Sequence, residues 1–173
     1  MWLLVSPGNP LKSRTGMAPL AARLQSARRI AAGHGGRILA TDIETRLGTR
    51  QTADTLRLLR LRFPGVQFVW LMGADNLAQF PRWHHWRRIA ATVPFAVIPR
   101  PSYTRALAGQ AASVLRHHRL PARYAARLAG QAPPAWIFLP GPTHTASATA
   151  IRAGHQEAAH PPHPETAGPA RAA

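Results

Sequence analysis

Cysteine is absent from the 173 residues. That excludes disulfides, thiolate catalysis and cysteine-built zinc or iron–sulfur sites, and it is compatible with a reducing compartment. Negative charge is scarce: 6 Asp+Glu face 22 Lys+Arg, a formal net charge of +16. The carboxylates are Asp42, Glu44, Asp54, Asp75, Glu157 and Glu165. No close pair sits beside a hydrolytic partner, so hydrolysis by paired carboxylates has little to be built from. Lysine is represented by Lys12 alone. No apolar run approaches a membrane span. The opening Met1 to Pro7 has neither the basic start nor the long apolar stretch of a signal peptide, so the cytoplasm is the expected location.

What is present is an excess of arginine, and such a field attracts anions: nucleic acid, acidic membrane or nucleotides. The arginines are scattered rather than gathered in one block, which argues against nucleic acid as the partner. A basic nucleic-acid-binding module stays as a competing reading. The histidines offer little to a metal. His155, His160 and His163 fall in a Pro-rich tail, and the His84-His85 and His117-His118 pairs read as surface or packing residues.

Periodicity divides the chain into alternating strand and helix patterns. Trp2 to Val5, Arg37 to Ile43, Val66 to Met72, Pro94 to Ile98 and Trp136 to Leu139 read as strands. Helical spacing is expected from about Ala18, capped by Thr15, to the Gly33–Gly36 cluster. It is expected again from Thr49 or Thr52 to Arg62, over Trp83 to Ala91, over Leu107 to His118 and over Pro121 to Leu128. Glu44 to Arg50 reads as a loop. This alternation argues for a parallel sheet with helices on both faces. After Gly154 the composition turns to Pro, Ala, His and Glu, which predicts a disordered tail over 154–173 behind a domain over 1–153.

The most informative stretch runs from Phe68 to Trp86. An apolar strand ends at Gly73, Asp75 and Asn76 can cap a helix from Leu77, and Trp83 and Trp86 follow Pro81. Asp75 then stands at the carboxyl edge of a sheet, where open α/β folds bind ligands.

Several segments, in order, resemble the bacterial nicotinate-nucleotide adenylyltransferase family. They are Ser6-Pro7-Gly8-Asn9-Pro10-Leu11-Lys12, Asp42-Ile43-Glu44 with Gly48-Thr49-Arg50-Gln51-Thr52-Ala53-Asp54-Thr55-Leu56, Gly73-Ala74-Asp75-Asn76-Leu77 with Trp83-His84-His85-Trp86, Val97-Ile98-Pro99-Arg100-Pro101, and Ser147-Ala148-Thr149-Ala150-Ile151-Arg152. The resemblance implies a Rossmann-like parallel sheet of nucleotidyltransferase type. It also implies adenylyl transfer from ATP, with magnesium, to nicotinate mononucleotide. On that footing Gly73, Asp75, Ser147, Thr149 and Arg152 would hold ATP. Thr52 and Trp83 would meet the nicotinate ring and its carboxylate, and Lys12 and Arg100 would contact phosphate.

The chain departs from the family at its start. Nothing matches the Gly-Gly-x-Phe-x-Pro-x-His-x-Gly-His loop, and Met1 falls near the family's second strand. The expectation is a sheet lacking a central strand, an upstream extension of the reading frame, and no assignable catalytic histidine. Gln51 replaces a frequent aromatic and Ala148 a second serine. An inactive remnant of the same fold is the nearest competing reading.

Overall fold

The structure is a computed structural model, and it describes residues 1–8, 17–101 and 104–141. The chain divides into two compact units, Met1–Pro142 and Thr143–Ala173, and all the described residues belong to the first. Lys12, Thr15, Ser147, Thr149, Arg152 and the expected tail over 154–173 lie outside the described residues.

The strands are short and all run parallel to their neighbours. β1 (Trp2–Leu4) pairs with β2 (Leu39–Thr41), Trp2 opposite Leu39 and Leu4 opposite Thr41. A second sheet holds β3 (Trp70–Gly73), β4 (Phe95–Ile98), β5 (Arg119–Leu120) and β6 (Trp136–Phe138) in the order β3-β4-β6-β5. Parallel neighbours need crossovers. α1 (Leu20–Ala32) connects the first pair, and α4 (Ala74–Gln79) and α5 (Trp86–Thr92) connect β3 to β4. α2 (Ile43–Leu47) and α3 (Thr52–Arg62) link the two sheets, and α6 (Gln110–Val114) lies between β4 and β5.

Alternation along the strands assigns the two faces of the larger sheet. Met72, Phe95, Val97 and Trp136 share a core with Leu56 and Leu59 of α3, Leu77 of α4 and Ile89 of α5. Ala96 and Ile137 point the other way and pack with Leu128 of the 3-10 segment Ala122–Gly130. Burying each such large side chain contributes about 1.5–3 kcal/mol. The Phe95 and Trp136 rings stack with centroids 5.6 Å apart, and Trp136 Nε1 donates to the Leu115 carbonyl at 2.8 Å, so this buried indole keeps no unpaired donor. The small sheet has a thinner core: Leu24, Ala27 and Ala31 of α1 against Ala40 of β2.

The parallel sheet with helices on both faces is as the alternation of patterns implied. Boundaries differ where local context overrides pattern. Most strands are shorter than expected, while β3 starts later, at Trp70, and runs on to Gly73, which pairs with Ile98. Glu44 is not in a loop: Ile43–Leu47 forms a helical turn closed by Gly48, whose φ of 66° places it in the left-handed region that glycine adopts without penalty. Pro19, not Thr15, occupies the cap position of α1. Gly73, not Asp75 or Asn76, caps α4, so Asp75 lies in its first turn. Trp83 is extended between the 3-10 turn Phe80–Arg82 and α5. The expected helix over Leu107 to His118 is broken into α6 and two 3-10 pieces.

Among the described residues no hydrogen-bonded ladder joins the two sheets, and β1 and β3 each end one. Leu3 is 36% exposed and Leu71 41% exposed.

Candidate functional site

The site is built where the ends of both sheets meet the α2–α3 connection. Ser6 and Gly8 follow β1, and the Ser6 hydroxyl donates to the Gly8 carbonyl at 3.0 Å, which tightens the turn. Arg23 of α1 clamps the same turn from behind, donating to the Ser6 carbonyl at 2.7 Å. Thr52 opens α3, and Gln51 at its cap position is extended and makes no side-chain capping bond. The first amides of an 11-residue helix are therefore without a side-chain acceptor.

Trp83 arrives from the other side. Pro81 in the 3-10 turn ends α4, and Trp83 then lies edge-on to the fully buried Phe80, with centroids 5.6 Å apart. Phe80 also meets Trp86 at 5.6 Å and Phe95 at 5.8 Å, which ties the indole's seat to the main core. His85 adopts φ 51°, a conformation that costs a non-glycine residue energy, and it turns the chain from Trp83 into α5.

These elements enclose a cavity of about 360 Å³, with Ser6, Arg50, Thr52, Trp70, Arg82 and Trp83 among its walls. That volume lies in the range of small-ligand pockets. Trp83 lines it on the side of the 3-10 turn, with Arg82 beside it in sequence, and Thr52 at the start of α3 lines it together with Arg50. Such a surface suits a flat ring carrying an anionic group. Glu44 and Trp70 also line it, and Glu44 Oε2 and Trp70 Nε1 are buried without a hydrogen-bond partner among the described residues.

The sheet rim forms a second group. Asp75 and Arg100 follow the paired strands β3 and β4, with Arg100 Nε 3.8 Å from Asp75 Oδ1. At that distance, with the arginine mostly exposed, the pair contributes little to stability. Gly73 lies beneath it: a Cβ there would meet the Asp75 carboxylate and approach Arg100 Nε at 3.1 Å. Thus Thr52 and Trp83 share one cavity, and Gly73, Asp75 and Arg100 share the rim of β3 and β4. Asp75 and Arg100 are not among the cavity's lining residues. Ser147, Thr149, Arg152 and Lys12, expected to complete the site, lie outside the described residues. No three His, Asp or Glu side chains among the described residues come together as a metal cage.

The sequence reading assigned no role to Ser6, Glu44, Arg50, Trp70 or Arg82. Ser6 and Arg50 stand inside the quoted segments, and Arg82 directly precedes Trp83, which was the available signal.

The chain matches the cytidylyltransferase-like family over residues 1–154. It is 59% identical over 157 residues to a probable nicotinate-nucleotide adenylyltransferase of Gluconobacter oxydans, covering 90% of this chain and 80% of the relative. It is 56% identical over 169 residues to a protein of the same name from Gluconacetobacter diazotrophicus, covering 96% of this chain and 78% of that one. A third relative of that name, from Caulobacter sp., is 51% identical over 153 residues, covering 88% and 79%.

Proposed function

The chain belongs to the cytidylyltransferase-like family, and from that premise we propose that it binds nicotinate mononucleotide and ATP for adenylyl transfer, the step that yields nicotinate adenine dinucleotide. A phosphate oxygen of the mononucleotide attacks the α-phosphorus of ATP. The bond from that phosphorus to the bridging oxygen breaks, and pyrophosphate leaves. The nucleophile is already anionic, so the protein need not supply a base. Its work is positioning and charge neutralisation, for which a chain rich in arginine and poor in carboxylates is suited.

The observation that carries this reading is the meeting of Trp83 with the uncapped start of α3 across one cavity. The indole gives the nicotinate ring a stacking face. Thr52, the first amides of α3, Arg50 and Arg82 give its carboxylate donors. Asp75 at the rim is placed to accept from ribose hydroxyls of ATP, and Arg100 to meet phosphate. Ser147, Thr149 and Arg152 would hold the remaining phosphates, with Lys12 as a further contact. Magnesium would enter with ATP as part of the substrate. The expected setting is the cytoplasm; no helix of the described residues is long and apolar enough to cross a membrane.

Titration of the full chain with nicotinate mononucleotide, followed by tryptophan fluorescence, tests the pocket. Release of pyrophosphate in the presence of both nucleotides tests the chemistry. Quenching with a saturable curve, and pyrophosphate only when both nucleotides are present, is the expected result. Binding without pyrophosphate would favour the inactive-remnant reading. No binding at all would overturn the proposal.

A further inference from the structure

A group of buried polar side chains that the reading above does not use runs from Glu44 in the cavity's lining to Thr49 and Thr55, which are not among its lining residues. Thr55 of α3 is 0% exposed, Glu44 6% and Thr49 8%. Burying a carboxylate and two hydroxyls is costly unless they satisfy one another. They do so in part: Thr55 Oγ1 lies 2.8 Å from Thr49 Oγ1, 3.2 Å from Glu44 Oε1 and 3.1 Å from the Gln51 carbonyl oxygen. A hydroxyl has one proton to give. The consistent direction is Thr49 donating to Thr55, and Thr55 donating to the carboxylate, where the bond is charge-assisted. The Thr49 backbone N–H also donates to the Glu44 carbonyl at 2.9 Å.

The segment between these anchors is the one that matters. Arg50, Gln51 and Thr52 line the cavity, and they are suspended between Thr49 and Thr55. Thr49 stands two residues before Gln51, which holds the cap position of α3. Here the Thr49 hydroxyl turns to Thr55, and α3 keeps no side-chain cap. Because Gln51 makes no side-chain capping bond, the Thr52 and Ala53 amides are open to a ligand's anion.

We propose that Thr55, acting through Glu44 and Thr49, is a positioning residue for the mononucleotide pocket: it holds Arg50–Thr52 so that their donors converge on the substrate's carboxylate. This rests on the function proposed above. Thr55 is not among the cavity's lining residues, so its influence is exerted through the loop.

The test is calorimetric binding of nicotinate mononucleotide and of ATP, measured separately, to the full chain and to Thr55→Val and Thr55→Ser. Valine keeps the shape and deletes the junction; serine restores the hydroxyl. Thr55→Val is expected to weaken the mononucleotide about tenfold, the loss of one charge-assisted hydrogen bond. ATP affinity should change less than about twofold, and Thr55→Ser should recover mononucleotide affinity. Equal losses for both nucleotides, or unchanged mononucleotide affinity, would overturn the assignment. Should Thr55→Val fail to fold, Glu44→Gln keeps the volume and weakens the acceptor, and a selective loss of about threefold is expected of it; no selective loss there would likewise overturn the assignment. If the unaltered chain binds no mononucleotide, the function proposed above fails first and takes this inference with it.

Discussion

Trp83 shows how one side chain can be both packed and available. Its ring packs at a near-right angle against Phe80, which also meets Trp86 and Phe95, so the indole's seat is tied to the core. The ring also lines the cavity. A stacking face that is already fixed loses little entropy when a ligand ring settles on it. Trp83→Ala is therefore expected to weaken nicotinate mononucleotide by about tenfold or more, and Trp83→Phe by only a few-fold. Equilibrium binding of the two variants checks this, with circular dichroism confirming that both retain the fold.

At the scale of elements, the β3–α4 junction carries the rim. Gly73 is needed for space rather than for an unusual backbone: its φ is −76°, and an added methyl would meet the Asp75 carboxylate. That carboxylate can swing aside, so Gly73→Ala should cost less than about 1.5 kcal/mol of stability. The displaced Asp75 is expected to lower ATP affinity at least about fivefold, which urea melts and nucleotide titrations on the same sample would separate. The elements were legible in the sequence wherever apolar periodicity and a neighbouring stop signal agreed, as for α3 between Gln51 and Phe63. They were less legible where a boundary depends on a partner. β3 runs one residue past its apolar stretch because Gly73 still pairs with Ile98, and α2 exists because Gly48 can turn left-handed directly after Leu47. The site divides the same way. Thr52 and Trp83 stand in segments with recognisable order. Trp70, Arg82 and Glu44 come together only because separate elements fold against one cavity, and no local spacing encodes that meeting.

For the whole molecule, the cavity takes residues from both sheets: Leu4 and Ser6 from the small one, and Trp70 from the large one. The small sheet rests mainly on alanines and Leu24, a thin core beside that of the larger sheet. A mononucleotide bound between them touches both. At a hundred times its dissociation constant it would add about 2.7 kcal/mol to the folded state.

Among the described residues β1 and β3 stand at the edges of their sheets, which also has a consequence in crowded solution. Unpaired parallel strands bearing Leu3 and Leu71 are templates for other chains, while a net charge of +16 holds copies apart. Colloidal behaviour should then depend on screening: dispersed particles in dilute buffer, and growing clusters as salt approaches about 1 M and the reach of the repulsion shrinks to about 3 Å. Light scattering across a salt series would register the change, and Leu3→Lys with Leu71→Lys should abolish it. Sheet edges of this kind would leave the chain's solubility to its arginines.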